Sequence, residues 1–132
     1  MATLRRFEEL ECWQEARRFV KLVYETARND RFKKDFELAS QIRRSAISAM
    51  ANIAEGFHRS SSKEFMKFLD YSRSSIAETL SHSYIAADQG YITEHELATI
   101  RAQADMIWKK ANSLISYLRR SNKGPSVDEP KA

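Results

Sequence analysis

Residues 38–67, LASQIRRSAISAMANIAEGFHRSSSKEFMK, contain the clearest folding signal in the chain. Their first half carries an apolar residue every three or four positions, which is the spacing of one buried helical face. The residues of this face are Leu38, Ile42, Ala46, Ala49, Ile53 and Phe57. Ser61 and Glu64 then have the spacing of a capping box, which begins a new helix. The stretch therefore predicts two helices joined by a short turn near residues 56–59.

Upstream of this pair, the pattern predicts a first helix from Phe7 or Glu9 to Arg28, because apolar residues recur there at helical spacing. The next segment, NDRFKKD at residues 29–35, is charged along its length and is predicted to be a polar connector. The second helix, about residues 36–57, is apolar on more than one side. We therefore expect it to be the most buried helix of the fold.

Downstream, the third helix is predicted to run from the Ser61 cap to about Gln89, with Gly90 ending it as a left-handed residue. Thr93 and Glu96 form a second capping box, which begins a fourth helix. That helix has the most regular apolar spacing in the chain: Leu97, Ile100, Ala104, Ile107, Ala111, Leu114 and Leu118. Such alternation of three and four is typical of bundles and coiled coils.

Four helices with short connections predict an all-α fold, an antiparallel up-down-up-down four-helix bundle over residues 1–120. Three Gly and two Pro in 132 residues are too few for the many turns of a sheet protein. Residues 121–132, SNKGPSVDEPKA, hold both prolines and little that is apolar, so we expect a disordered C-terminal tail. Gly56 has two interpretations, a left-handed helix end or a site where another part of the chain comes close.

The composition also indicates a compartment. A single cysteine, Cys12, cannot form an intramolecular disulfide framework, which suits a reducing environment. The chain has no apolar run near the roughly 18 residues of a membrane span and no secretory signal, so we expect a cytoplasmic protein without a membrane partner. The net charge of +4 mildly favours a polyanionic partner.

Catalytic and metal-binding patterns are weak in this sequence. A di-iron bundle needs two Glu-x-x-His motifs, and only Glu55 and His58 have that spacing. Cys12 has no histidine near it in sequence, and the nucleophile elbow and the phosphate-binding glycine loop are both missing. We therefore expect no enzymatic activity, with no catalytic, metal or cofactor-binding residues and no small-molecule substrate.

Basic residues give a more suggestive pattern, because several cluster near the two ends of the second helix and along the third. The candidate nucleic-acid-binding residues are Arg43, Arg44, Arg59, Lys63, Lys67 and Arg73. Arginine-rich surfaces with aromatic residues nearby can bind nucleic-acid phosphates. The competing interpretation is a solvated charged face, because Asp and Glu residues interleave with these cations.

The central stretch resembles a known family. Ser40-Gln41-x-Arg43-Arg44, then Asn52-Ile53-Ala54-Glu55-Gly56, then Arg59-x-Ser61-x-x-Glu64-Phe65 are similar to the 23S rRNA intervening-sequence proteins, also called the S23 ribosomal protein family. The accessory variability determinant of diversity-generating retroelements belongs to the same family. The resemblance covers about residues 7–118. The chain departs from the family where Met50 replaces a frequent proline and where Phe36-Glu37-Leu38 replaces a Tyr-Gly-Leu-like start.

The resemblance implies a small bacterial cytoplasmic bundle that assembles as a homopentamer. In the retroelement branch it also implies a reverse transcriptase or ribonucleoprotein partner. The sequence pattern adds one observation: Ile47, Met50 and Ile115 are apolar residues outside the main apolar face of their helices. Surplus apolar surface of this kind often marks an interface.

Two functions remain open at this point. The first is a non-enzymatic oligomeric helical bundle that binds RNA or a ribonucleoprotein. The second is a protein-interaction scaffold with no nucleic-acid role, in which the basic residues only keep the oligomer soluble.

Overall fold

The computed structural model of the chain describes residues 4–121. Within this range a short 3-10 helix, Phe7–Glu9, precedes five α-helices and there is no strand, so the predicted all-α class is confirmed. The α-helices are α1 (Glu11–Thr26), α2 (Asp30–Lys34), α3 (Phe36–Phe57), α4 (Ser62–Asp88) and α5 (Glu94–Ser121). The predicted tail, residues 121–132, lies outside the described residues except for Ser121, which ends α5.

Hydrogen bonds between α3 and α4 establish that these helices are antiparallel. The hydroxyls of Ser48 and Ser75 lie 2.8 Å apart, and those of Ser45 and Thr79 lie 2.7 Å apart. The residue number falls along α3 while that of its partner rises along α4, so the two helices run in opposite directions. Ser72 adds a third link by donating to the backbone carbonyl of Ala49 at 2.6 Å. Short polar side chains bring the two helices close together along their length.

The other contacts complete the bundle. Lys110 bonds to Glu11 at 2.8 Å and Gln103 to Glu15 at 2.9 Å, so α1 and α5 are also antiparallel. With α4 packed on α5 and α1 on α3, each long helix touches two neighbours. The four long helices therefore form the predicted antiparallel up-down-up-down bundle. We call the end where α3 passes into α4 the hairpin end, and it also holds the start of α1 and the end of α5.

The structure confirms the N-cap at Ser61 and the complete capping box at Thr93. The Ser61 hydroxyl accepts a hydrogen bond from the backbone N–H of Glu64 at 3.2 Å. Thr93 and Glu96 form the full reciprocal box, with bonds of 2.8 and 3.0 Å. Gly90 has φ +74°, the left-handed conformation expected after α4. The limits predicted for the second and third helices therefore agree with α3 and α4, because side-chain caps act locally.

The first helix is shorter than predicted. The chain makes the 3-10 turn at Phe7–Glu9, and Leu10 is extended before α1 begins at Glu11. The helix ends at Thr26 instead of Arg28, a difference within the usual uncertainty of helix ends.

The connector predicted at residues 29–35 was wrong, because the structure has a short helix there. The Asn29 side chain caps α2 by accepting from the backbone N–H of Phe32 at 2.8 Å. Phe32 is completely buried and stacks on Tyr91 with ring centroids 5.4 Å apart. Tyr91 in turn donates to Asp35, and this hydrogen bond raises the pKa of the Tyr91 phenol above its usual range. The charged segment thus closes the bundle opposite the hairpin end.

Helix α3 has the largest buried share of the long helices, with 9 of its 22 residues buried. This confirms the expectation for the second helix. Its outward face nevertheless reaches solvent at Gln41, Arg44 and Glu55. Ile47 is 43% exposed, which agrees with its prediction as apolar surface outside the core. Ile115 is only 5% exposed and belongs to the core. The prediction that Ile115 is surplus surface was therefore wrong.

Gly56 lies inside α3, so the second of its two interpretations is the correct one. A Cβ atom at this position would lie 2.8 Å from the Cβ of Phe68 and 2.9 Å from the Phe65 ring. Atoms attached directly to the backbone of α4 cannot move aside without moving that helix. The absence of a side chain at residue 56 therefore allows α3 and α4 to meet at the hairpin end.

Candidate nucleic-acid interface

The structure separates the six predicted nucleic-acid-binding residues into different surfaces. Arg43 and Arg44 lie in the first half of α3, whereas Arg59 follows its end. Because a helix rises about 1.5 Å per residue, Arg44 and Arg59 are roughly 20 Å apart along the bundle. The six residues therefore do not form one continuous site on this chain, and their role stays a prediction.

Three of the six residues are brought together with a fourth cation that the sequence pattern did not select. Lys63, Lys67 and Arg73 of α4 line a shallow groove with Arg119 of α5 at the hairpin end. Glu64 and Asp70 line the same groove, so cations exceed carboxylates there. Cations from two helices thus face one concave surface, which is an arrangement suited to a polyanion.

Arg73 is held in a fixed orientation within this groove. Its guanidinium donates to Asp70 at 2.7 Å and to Asn112 of α5 at 2.9 Å. It also lies over the indole of Trp108, 5.7 Å from the ring centroid. Part of its charge is therefore balanced by Asp70, and its guanidinium supports one side of an aromatic ring.

A second pair of an arginine and an aromatic ring joins α4 and α5 farther from the hairpin end. Arg101 of α5 donates to the Tyr84 hydroxyl of α4 at 3.0 Å and lies 5.8 Å from the centre of that ring. This hydrogen bond raises the pKa of the Arg101 guanidinium. Tyr84 is 44% exposed and Trp108 is 37% exposed. The concave part holds Lys63, Lys67, Arg73 and Arg119, and Arg73 links it to Trp108. We give the name α4–α5 groove to this part together with the two arginine–ring pairs between the same helices; its residues are Lys63, Lys67, Arg73, Tyr84, Arg101, Trp108 and Arg119.

The other predicted residues lie outside this groove. The Arg59 guanidinium lies 4.4 Å from the centre of the Phe68 ring, on the α3 side of the hairpin end. Arg43 lies 5.9 Å from the centre of the Tyr24 ring of α1. Arg44 is exposed on the outward face of α3. These three arginines face solvent or neighbouring aromatic rings and do not converge on one another.

One basic surface was missed by the sequence analysis. Arg17 and Lys21 are exposed on α1 and Arg28 is exposed just after its end, and none of the three makes an ion pair with a carboxylate within residues 4–121. Their spacing of four and seven residues is helical, so the same periodicity used for the core could have identified them. Arg101, Trp108 and Arg119 were also missed, and nothing local in the sequence shows that they lie beside α4.

The structure also locates the residues considered for metal binding. Glu55 and His58 line a shallow surface depression with Ala54 and Arg59. In the described part of the chain, no three His, Cys, Asp or Glu side chains come together as metal ligands would. Cys12 is buried in α1. None of the described helices has the length and apolar character needed to cross a membrane.

Comparison with known proteins matches the chain to a family model and to solved structures. Residues 8–113 match the family model described as 23S rRNA-intervening sequence protein. A crystal structure of a protein with unknown function from the S23 ribosomal protein family of Bacteroides thetaiotaomicron has a TM-score of 0.71 and 25% sequence identity, covering 79% of this chain and 97% of that chain. No curated protein matches the chain. The family model spans most of the sequence, and we conclude that the chain belongs to the 23S rRNA-intervening sequence protein family.

Proposed function

We propose that this protein is a non-enzymatic homo-oligomeric bundle that binds RNA through the α4–α5 groove. The observation that supports this proposal is the convergence of Lys63, Lys67 and Arg119 from two helices on one concave surface. Each is exposed, so a phosphate can reach its charge. Phosphate contacts provide most of the sequence-independent affinity of proteins for nucleic acids. The family description, which refers to 23S rRNA, favours RNA as the polyanion.

A ribonucleoprotein containing a reverse transcriptase is the partner implied by the retroelement branch of the family, and it would present RNA to the same groove. The competing function is the protein-interaction scaffold. In that case the exposed cations would serve solubility alone, and no single basic surface would matter more than another. A comparison of two surfaces that carry equal charge separates these functions.

We expect the triple substitution Lys63→Gln, Lys67→Gln and Arg119→Gln to weaken binding to a labelled stem–loop RNA and to flatten its salt dependence. Each lost phosphate contact lowers the slope of log affinity against log salt by roughly 0.7–0.9, so three lost contacts lower it by about 2–3. Fluorescence anisotropy over about 50–200 mM salt measures this slope.

The matched control is Arg17→Gln, Lys21→Gln and Arg28→Gln, along and just after α1, which removes the same charge from positions that are also exposed. It should leave the slope nearly unchanged. An equal loss in both triple variants would show that only net charge matters and would contradict a specific groove. A loss confined to the α1 variant would move the site to α1. Failure of the wild type to bind this RNA at low salt would favour the scaffold.

The homo-oligomer is proposed from the family resemblance and from exposed apolar residues on one side of α3. Phe36 is 82% exposed and Ile47 is 43% exposed, and their separation of eleven residues places them on the same side of the helix. Tyr24 of α1 adds a further exposed ring on this side, beside Arg43. We propose that copies of the chain associate through this surface, away from the α4–α5 groove, with five as the expected number.

We expect light scattering to give the wild type a mass of about 77 kDa, five times the 15.3 kDa subunit. The double substitution Phe36→Asp and Ile47→Asp should lower the mass toward that of one subunit, because desolvating carboxylates in an apolar interface is unfavourable. Met106→Asp on α5, at a side chain 43% exposed, is the control and should not change the mass. A monomeric wild type at micromolar concentration would contradict the proposal.

A further inference from the structure

We infer that the α4–α5 groove takes unpaired RNA nucleotides and that Trp108 is the ring on which a base stacks. This inference rests on the proposed function, since it names the kind of RNA bound by the same groove. It adds a stacking residue that the basic pattern alone does not identify.

The exposure and contacts of Trp108 favour its use as a stacking ring. Its indole is 37% exposed, although it lies on a helix whose other large apolar side chains are mostly in the core. The Arg73 guanidinium lies over the ring, and two hydrogen bonds hold that guanidinium in place. A large ring that is exposed and already packed against a held side chain loses little conformational entropy when a base stacks on it.

Aromatic rings and cations follow one another along the groove. Arg101, which holds Tyr84, is seven residues from Trp108, and Arg119 lies eleven residues beyond it. At about 1.5 Å per residue these steps are roughly 10 and 16 Å. The groove thus presents two exposed rings followed by a cluster of cations over about 27 Å. Single-strand-binding proteins combine the same parts, aromatic platforms for bases and a basic track for the backbone.

A paired RNA helix fits the groove less well than an unpaired strand does. Proteins recognise double-stranded RNA through phosphates and 2′-hydroxyls across its minor groove, and its bases are already stacked on one another. A paired helix would leave the exposed ring of Trp108 without a partner. Within residues 4–121, the cations Lys63, Lys67 and Arg119 make no ion pair, and they lie at one end of the groove, beyond the two rings. An unpaired strand can use both features at once.

The test compares an oligouridine of about 12 nucleotides with a blunt RNA duplex of about 16 base pairs, both fluorescently labelled. We expect Trp108→Ala to weaken oligouridine binding by about 5- to 100-fold, the usual effect of losing one stacked base. Trp108→Phe should restore much of this affinity, because it keeps an aromatic face. Duplex binding should change by less than about twofold, since its bases are already stacked on one another and do not need the ring.

Two controls accompany this comparison. Met106→Ala removes an exposed apolar side chain from the same helix outside the groove, and it should affect neither RNA. In a Trp13→Phe background, Trp108 is the single remaining tryptophan, so its intrinsic fluorescence reports the groove directly. We expect oligouridine to quench this fluorescence and the duplex to leave it nearly unchanged.

The outcomes separate this inference from the proposed function. If Trp108→Ala weakens both RNAs equally or neither, the inference is wrong while RNA binding by the groove still stands. If the wild type binds neither RNA, both proposals fail. If Trp108→Ala lowers the oligomer mass without affecting oligouridine, the ring belongs to a protein interface, which also overturns the inference.

Discussion

Phe32→Ala is expected to lower the free energy of unfolding by about 3–5 kcal/mol, the usual cost of truncating a buried phenylalanine. The Phe32 side chain is completely buried and stacks on Tyr91. Its loss would leave a cavity between α2 and the turn that joins α4 to α5. Because small domains are stable by only about 5–15 kcal/mol, this single change should remove a large part of the total.

Urea denaturation at equal protein concentration measures this effect, since the stability of an oligomer depends on concentration. Phe32→Leu keeps most of the apolar volume and should cost less than Phe32→Ala. Lys33→Ala changes an exposed side chain of the same short helix and should stay within about 0.5 kcal/mol of the wild type. A loss below about 1 kcal/mol for Phe32→Ala would show that α2 contributes little to the fold.

Gly56→Ala is expected to destabilise the protein by about 1–3 kcal/mol, and Gly56→Val by more, because each added carbon must fit against α4. The new Cβ would lie 2.8 Å from the Cβ of Phe68, an atom that only a backbone shift can move. Intrinsic helix propensity favours alanine over glycine by about 1 kcal/mol and therefore acts in the opposite direction. The sign of the change thus shows which effect is larger.

Thermal or urea unfolding of the two variants gives that sign. Ala51→Gly, at an exposed position of the same helix, measures the propensity effect alone and should cost about 0.5–1 kcal/mol. A Gly56→Ala variant that is more stable than the wild type would contradict the close approach of α3 and α4. Retention of helical circular dichroism in Gly56→Ala would confirm that the loss reflects packing and not local unfolding.

In the second half of the bundle, signals within a few residues are enough to predict where the helices begin and end. Ser61, Gly90 and Thr93 each act within a few residues, through a side-chain cap or a left-handed backbone. Their positions could therefore be read without knowing any tertiary contact. The stretch Asn52–Gly56 likewise identified the family, since it is a contiguous motif, and the family model confirms that assignment.

The connector shows why other parts could not be predicted. Phe32 is one apolar residue among charged ones, so it produces no periodic pattern. It becomes a core residue because Tyr91, far away in sequence, supplies the surface on which it stacks. Ile115 was misplaced for a related reason, since spacing within α5 does not show which of its faces the neighbouring helices cover.

The sequence by itself determined the number of long helices, most of their limits, the apolar faces and the family. These properties follow from spacing within one helix and from caps that act over three or four residues. Only the tertiary structure decided which cations share a surface. It separated Arg43 and Arg44 from Lys63 and Lys67, and it brought Arg119 and Trp108 from α5 to the side of α4. A groove between two helices depends on which helices are neighbours and on their relative rotation, and both are fixed by packing of the whole core.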